Sequence, residues 1–94
     1  MPIGVLTLHI QLPGCTSLKE KRRRMKPLLA RLRREFNISV AEIDHNDHWK
    51  EAIIACAVVS NQSRHAEQYL QQVERWIETA WPDVLVQDNR LEII

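Results

Sequence analysis

The stretch SLKEKRRRMKPLLARLRREF, residues 17–36, combines a helix-start signal, an apolar periodicity and most of the basic charge of the chain. Ser17 and Glu20 have the spacing of a capping box, in which a hydroxyl and a carboxylate satisfy free N–H groups of the first turn. A helix is therefore predicted to begin at Leu18. Several apolar residues fall with Leu18 in one arc of roughly 100° and define its core face: Met25, Leu28, Leu29, Leu32 and Phe36.

Two features complicate this helix. Pro27 lies in the middle of the pattern, where it removes one hydrogen bond and clashes with the preceding turn. We predict a kinked helix over residues 18–36, with a break near residue 26 as the alternative. Lys21 and Arg22 fall on or inside the borders of the apolar arc. The first two turns are therefore expected to overhang the sheet instead of packing on it.

The charge of the chain is unevenly distributed. Residues 19–34 hold nine basic residues and one acidic residue, a local charge of +8, whereas the whole chain has a net charge of +1. Free N–H groups, the helix dipole and clustered Lys and Arg side chains together favour an anion such as phosphate. Two interpretations stay open: a solvated basic face, which most charge runs are, or a contact with a phosphate backbone or another polyanion.

Three segments with the residue patterns of strands surround this helix. Residues 3–12 place Leu6, Leu8 and Ile10 on one face of a strand that Pro13-Gly14 ends. Residues 38–44 form a weaker, more polar strand, predicted at an edge, and a turn follows over residues 45–50. Residues 51–60 are apolar on both faces, which predicts a central strand covered on both sides.

The C-terminal part of the chain predicts a second helix and the last strand pairing. Ser60-Asn61 or Ser63 offers the N-cap, and Trp81-Pro82 stops the helix. The apolar stripe of this helix follows helical spacing: Ala66, Tyr69, Leu70, Val73, Ile77, Ala80 and Trp81. Residues 84–86 and 91–94 then form either one long strand with a bulge or two short strands.

The resulting order, βαββαβ, predicts one α+β domain over residues 1–94 with a ferredoxin-like fold. Right-handed crossovers give an antiparallel sheet in the order 4-1-3-2, with both helices on one face. The start of the basic helix and the hairpin of residues 44–49 then lie at the same end of the sheet. No third layer covers the far face of the sheet, so we predict a homodimer through that face.

Catalytic and metal-binding patterns are weak. Asp44, His45, Asp47 and His48 have metal-ligand chemistry and Cys15 could lie nearby, but zinc ligands are usually separated and supported, and polar residues are the default in a hairpin. We therefore predict no metal and no cofactor. Ser17 is engaged in the cap, and no nucleophile elbow or P-loop is present, so the chain is more easily explained as a non-enzyme.

Size and cysteine use favour a cytoplasmic protein. Two cysteines, Cys15 and Cys56, do not make a disulfide framework and are expected to be reduced thiols. No signal peptide is visible at the N-terminus. The longest apolar run, residues 52–59, is far shorter than the ~20 residues of a membrane helix, and we expect no membrane association.

Several segments resemble the YlxP-like family of small bacterial proteins, a family whose domain has no known function. The matching segments are SLKEKR at 17–22, VAEIDH at 40–45, Trp49, VVSN at 58–61 and HAE at 65–67. The resemblance implies a ferredoxin-like fold and genes that are often found near those of transcription and translation factors. It implies no catalytic residues.

The leading hypothesis is a small cytoplasmic, non-catalytic protein that binds RNA or the ribosome mainly through the phosphate backbone. The candidate binding residues are Lys19, Lys21, Arg22, Arg23, Arg24, Lys26 and Trp49. Trp49 is either a lid on the end of the sheet or an exposed ring for stacking. The alternatives are a protein-interaction module that docks an acidic partner and, third, a small enzyme or a binder of phosphorylated metabolites.

Overall fold

The computed structural model describes residues 1–44 and 48–94. The elements follow the predicted order βαββαβ. They are β1 (Ile3–Gln11), α1 (Leu18–Glu35), β2 (Ser39–Asp44), β3 (Glu51–Val59), α2 (Ser63–Ala80) and β4 (Leu85–Ile93). This confirms the predicted ferredoxin-like α+β class.

The four strands form one antiparallel sheet in the order β2-β3-β1-β4, as predicted. Leu6 of β1 lies opposite Cys56 of β3 on one side and Leu91 of β4 on the other. Strand β4 is continuous, and its register against β1 shifts between His9 and Ile10. Of the two alternatives for the last segment, one long strand with a bulge is confirmed.

The core lies between one face of the sheet and both helices. Leu6, Leu8 and Ile10 of β1 are buried, as is Leu12 directly after the strand. They form one cluster with Met25, Leu28 and Leu32 of α1 and with Leu70, Val73 and Ile77 of α2. Because strand side chains alternate between faces, the odd-numbered residues of β1 and β3 point away from the helices.

Local signals set the ends of α1. The Ser17 hydroxyl accepts the N–H of Glu20 at 3.1 Å, which confirms the predicted start. The Glu20 carboxylate accepts the N–H of Thr16, at 3.3 Å, rather than that of Ser17. The helix runs unbroken through Pro27, so the alternative of a break near residue 26 was wrong. The Phe36 N–H donates to the Leu32 carbonyl at 3.0 Å and closes the last turn of the helix.

The start of α2 differs from the prediction. Ser63 is the first helical residue, not the cap, and Gln62 occupies the N-cap position without a side-chain cap bond. The Ser60 hydroxyl instead accepts the N–H of Gln62 at 3.2 Å and lies 3.1 Å from Nδ1 of His65. The serine therefore orders the turn that enters the helix rather than its first turn.

Candidate functional site

Four exposed cations form a continuous stripe on the N-terminal half of α1: Lys19, Arg22, Arg23 and Lys26. Their spacing, i, i+3, i+4 and i+7, places them on one helical face. These four side chains are exposed, whereas Met25, Leu28 and Leu32 of the same helix are buried. Within residues 1–44 and 48–94, none of the four forms an ion pair or a side-chain hydrogen bond. We call these four residues the basic stripe.

Lys21 has a different environment from the basic stripe. Its side chain is 2% exposed, and its ammonium group lies 2.9 Å from the Glu42 carboxylate of β2. The same ammonium donates to the carbonyl of His48 at 2.6 Å. The expectation that the first two turns of α1 overhang the sheet was therefore wrong. Instead, a buried lysine anchors these turns to β2 and to the segment before β3, and its charge is turned away from solvent.

Arg24 also has a structural role. One guanidinium nitrogen donates to the Pro13 carbonyl at 2.8 Å and the other to the Asp83 carbonyl at 2.6 Å. The guanidinium group also lies 3.9 Å from the Glu20 carboxylate. The side chain thus joins the loop after β1 and the loop before β4 to α1. Of the six cations predicted to bind phosphate, the four of the basic stripe are the exposed ones.

A groove runs between the basic stripe and the edge strand β2. It has a volume of about 300 Å³ and is lined by Arg22, Met25, Lys26, Leu29, Arg33 and Glu42. Arg33 donates to the Val40 carbonyl at 2.9 Å and so covers part of the β2 edge. The groove therefore offers cationic walls beside the apolar surfaces of Met25 and Leu29.

Trp49 lies at the same end of the molecule as the start of α1. The contact of Lys21 with the His48 carbonyl and the hydrogen bond from the Leu12 N–H to the Lys50 carbonyl, at 2.8 Å, bring these segments together. Trp49 is 45% exposed, whereas Trp76 and Trp81 pack against the core. This exposure favours the open ring over the lid.

Comparison with known proteins shows the family of this chain. A family model for a protein of unknown function, DUF503, matches residues 3–90. The chain belongs to the DUF503 family. The uncharacterized protein YlxP of Bacillus subtilis (strain 168) is 37% identical over 68 residues, which cover 72% of this chain and 73% of that protein. The resemblance found from short segments is thereby confirmed.

A solved structure supports the fold of this DUF503 chain. The de novo designed protein Foldit4 superimposes with a TM-score of 0.55 and 14% sequence identity, covering 100% of this chain and 97% of the designed one. At such low identity the likeness concerns the fold alone.

The metal hypothesis falls partly outside the described residues, because positions 45–47 of the hairpin are not among them. In the part of the chain that is described, no group of three or more His, Cys, Asp or Glu residues is placed to hold a metal ion. Cys15 is buried and its thiol lies 3.4 Å from the Ser17 carbonyl. Nor does any described helix have the length and apolar character needed to cross a membrane.

Glu74 joins α2 to β4. Its carboxylate accepts a hydrogen bond from the Asn89 side chain at 2.9 Å. Partial burial and the neighbouring charge of Glu78 raise its pKa, while the hydrogen bond from Asn89 lowers it. Sequence reasoning did not single out this group. Its contacts suit a polar link between helix and sheet rather than an acid–base pair.

Neither thiol of this DUF503 chain is suited to nucleophilic chemistry. Both cysteines are free and buried, and burial raises the pKa of Cys56 to about 12. Because the thiolate is the nucleophile and a raised pKa keeps the thiol protonated, Cys56 carries almost no thiolate at pH 8.

We expect the native Cys15→Ala variant to react with a disulfide reagent at pH 8 at least 100-fold more slowly than the same variant in urea. Comparable rates would show that β3 opens readily or that the thiolate is stabilised.

Proposed function

We propose that this DUF503 chain is a small cytoplasmic, non-catalytic protein that binds RNA, free or within the ribosome, through the basic stripe. The observation that supports this most is a row of four exposed cations that form no ion pair or side-chain hydrogen bond with the described parts of the chain. Lys19 and Arg23, and Arg22 and Lys26, are like-charged neighbours one turn apart, an arrangement that destabilises a helix. An external polyanion relieves this repulsion.

The dimensions of α1 suit a phosphate backbone. At 1.5 Å per residue, the basic stripe spans about 10 Å along the helix, and Arg33 and Arg34 extend the cationic surface to roughly 22 Å. Trp49 is the aromatic residue among the exposed large hydrophobic side chains and provides a ring on which a base can stack. Such a site recognises the phosphate backbone and unpaired bases of RNA more than a particular base sequence.

The acidic remainder of the chain limits how RNA can approach. Outside residues 19–34 the chain has four basic and 11 acidic residues. This surface repels a polyanion, whereas the stripe attracts one, so docking is restricted to the face formed by α1. The net charge of +1 is then compatible with binding at a single face.

The proposal is tested by fluorescence anisotropy with labelled mixed-sequence RNA over a series of salt concentrations. We expect micromolar binding. If all four stripe cations contact phosphates of a single strand, the logarithm of the binding constant should fall with the logarithm of the salt concentration with a slope of about −2.8. Arg22→Glu/Lys26→Glu should weaken binding at least tenfold. Arg64→Glu/Arg75→Glu, on the exposed side of α2, makes the same charge change and should retain it.

Two results would overturn the RNA proposal. One is no binding at low salt; the other is an equal loss in the α1 and α2 variants, which would reflect net charge alone. Capture of a protein partner that needs Arg22 and Lys26 but survives ribonuclease would instead favour docking to an acidic protein. A Trp49→Ala variant separates the two contributions to RNA binding, because losing a stacking ring should lower affinity without changing the salt slope.

A further inference from the structure

The sheet face opposite the helices is open and largely apolar at its centre. On β1 it presents Ile3, Val5 and Thr7, and on β3 it presents Ile53 and Val59. The odd-numbered residues of both strands are half-buried by their neighbours in the sheet, except Val59, which is 61% exposed. No element within residues 1–44 and 48–94 packs over this face. It is separate from the basic stripe, which lies on the other side of the molecule.

We propose that a second copy of this chain packs on the open face, related to the first by a twofold axis. The axis lies in the interface, perpendicular to the strands, and passes between two rows of residues that run across the sheet. One row contains Ala57 and Glu92, and the next contains Ala55 and Arg90. Rotation about this axis lays each row of one copy over the other row of the second copy. The small side chains of Ala55 and Ala57 meet at the centre, where they allow two sheets to approach to about 10 Å.

Charge complementarity supports this axis. Arg90 and Glu92 lie 3.4 Å apart at the edge of the face, and their side chains are 75% and 49% exposed. The twofold rotation places Arg90 of one copy over Glu92 of the other, and the reverse. The two pairs then form a square of alternating charges, whereas a shift by one row would oppose like charges.

The shape of the face is also self-complementary about the same axis. A shallow cleft of about 220 Å³, lined by Thr7, His9, Ile53, Asp88, Asn89 and Arg90, lies on one side of the axis. Ile3 and Val59 lie at the matching distance on the other side. Rotation brings Ile3 of one copy over His9 of the other, and Val59 over Ile53. In each dimer, Ile3 and Val59 of each copy therefore pack against the shallow cleft of the other copy.

The area of the face sets the expected strength. Three strands of nine residues and one of six, spaced about 4.8 Å apart at about 3.3 Å per residue, give a face of roughly 520 Å². Two such faces bury about 1,050 Å², just above the ~1,000 Å² expected of a specific interface. The dimer should therefore dissociate in the micromolar range. Its helices, and with them both basic stripes, face outward, so dimerisation leaves the stripes accessible.

Sedimentation and light scattering between about 1 and 200 μM provide the test, with circular dichroism to confirm folding. We expect a dimer at the upper concentrations. Ala55→Arg, at the centre of the face, should weaken it at least tenfold, whereas Ala30→Arg, on the exposed side of α1, should leave it unchanged. A wild-type protein that remains monomeric at 200 μM would overturn the proposal.

A charge exchange tests the axis itself. Arg90→Glu and Glu92→Arg should each weaken the dimer about tenfold, since each places like charges opposite one another. The double variant Arg90→Glu/Glu92→Arg restores the alternating square and should recover most of the affinity. A dimer that forms in all three variants alike would place the interface elsewhere and overturn this arrangement.

Discussion

Replacing Lys21 with methionine is expected to lower the free energy of unfolding by about 3–5 kcal/mol, the range found when one partner of a buried ion pair is removed. Methionine keeps most of the length and apolar stem of the side chain. It removes the charge that lies 2.9 Å from the Glu42 carboxylate and the donor to the His48 carbonyl. Urea unfolding monitored by circular dichroism measures the change.

The expected loss comes from what is left behind. The Glu42 side chain is only 21% exposed, so its carboxylate would lose a close cation with little water to replace it. A double-mutant cycle with Glu42→Met separates this effect from lost packing, because removing both charges should cost less than the sum of the single changes. Lys19→Met, on the exposed side of the same helix, should change stability by no more than ~0.5 kcal/mol. A loss below 1 kcal/mol at Lys21 would show that the pair is replaceable by solvent.

This role of Lys21 affects how RNA binding must be tested. A Lys21→Glu change would bring two carboxylates together beneath α1 and unfold its first turns. Loss of RNA binding in such a variant would then reflect the fold and not a lost phosphate contact. The basic stripe can be altered without this complication because its four side chains point away from the core.

The sequence was sufficient for the element order and the sheet topology because these depend on repeated local patterns. Alternation in residues 3–12 and the two apolar faces of residues 51–60 identified the inner strands, and the capping spacing of Ser17 and Glu20 identified the start of α1. Each signal involves residues close in the chain. The order of the strands then followed from connection rules that apply to any βαββαβ chain.

The partners of Lys21 and Arg24 were beyond local patterns. A helical projection gives the direction of a side chain, but not whether a lysine stem is long enough to reach a strand 21 residues later. The register of β2 against β3 decides this, since it pairs Glu42 with the buried Ile54 and so turns Glu42 toward the core. One signal was available, because Glu42 lies two residues after Val40 and therefore on the same, inward-packing face of the strand. A carboxylate on that face requires a cation. Arg24 contacts the carbonyls of Pro13 and Asp83, which are 11 and 59 residues away in the sequence. No sequence spacing predicts these contacts.

Gly4 was also missed, and substituting it should have the second large effect. It is buried in β1 beneath α2, and a Cβ atom added there would lie 2.8 Å from Cδ1 of Leu70 and 3.2 Å from Cβ of Ala66. Glycine therefore allows the helix to approach the sheet closely at this point. In the sequence it is one residue in an apolar run, and nothing nearby shows which helix crosses over it.

Gly4→Val is expected to lower the free energy of unfolding by about 1–3 kcal/mol, because extra methyl groups in a packed core force neighbouring atoms to move. Leu70 can turn its side-chain end away, but the Cβ of Ala66 is fixed to the backbone of α2 and can move only with the helix. Gly4→Ala should cost less, since its single methyl group requires the shift of Leu70 and a movement of only a few tenths of an ångström at Ala66, and restricting the unfolded chain offsets part of the strain. Urea unfolding of the two variants gives the comparison. Equal losses would mean that α2 moves as a whole to admit any side chain, and the close approach would then contribute little to stability.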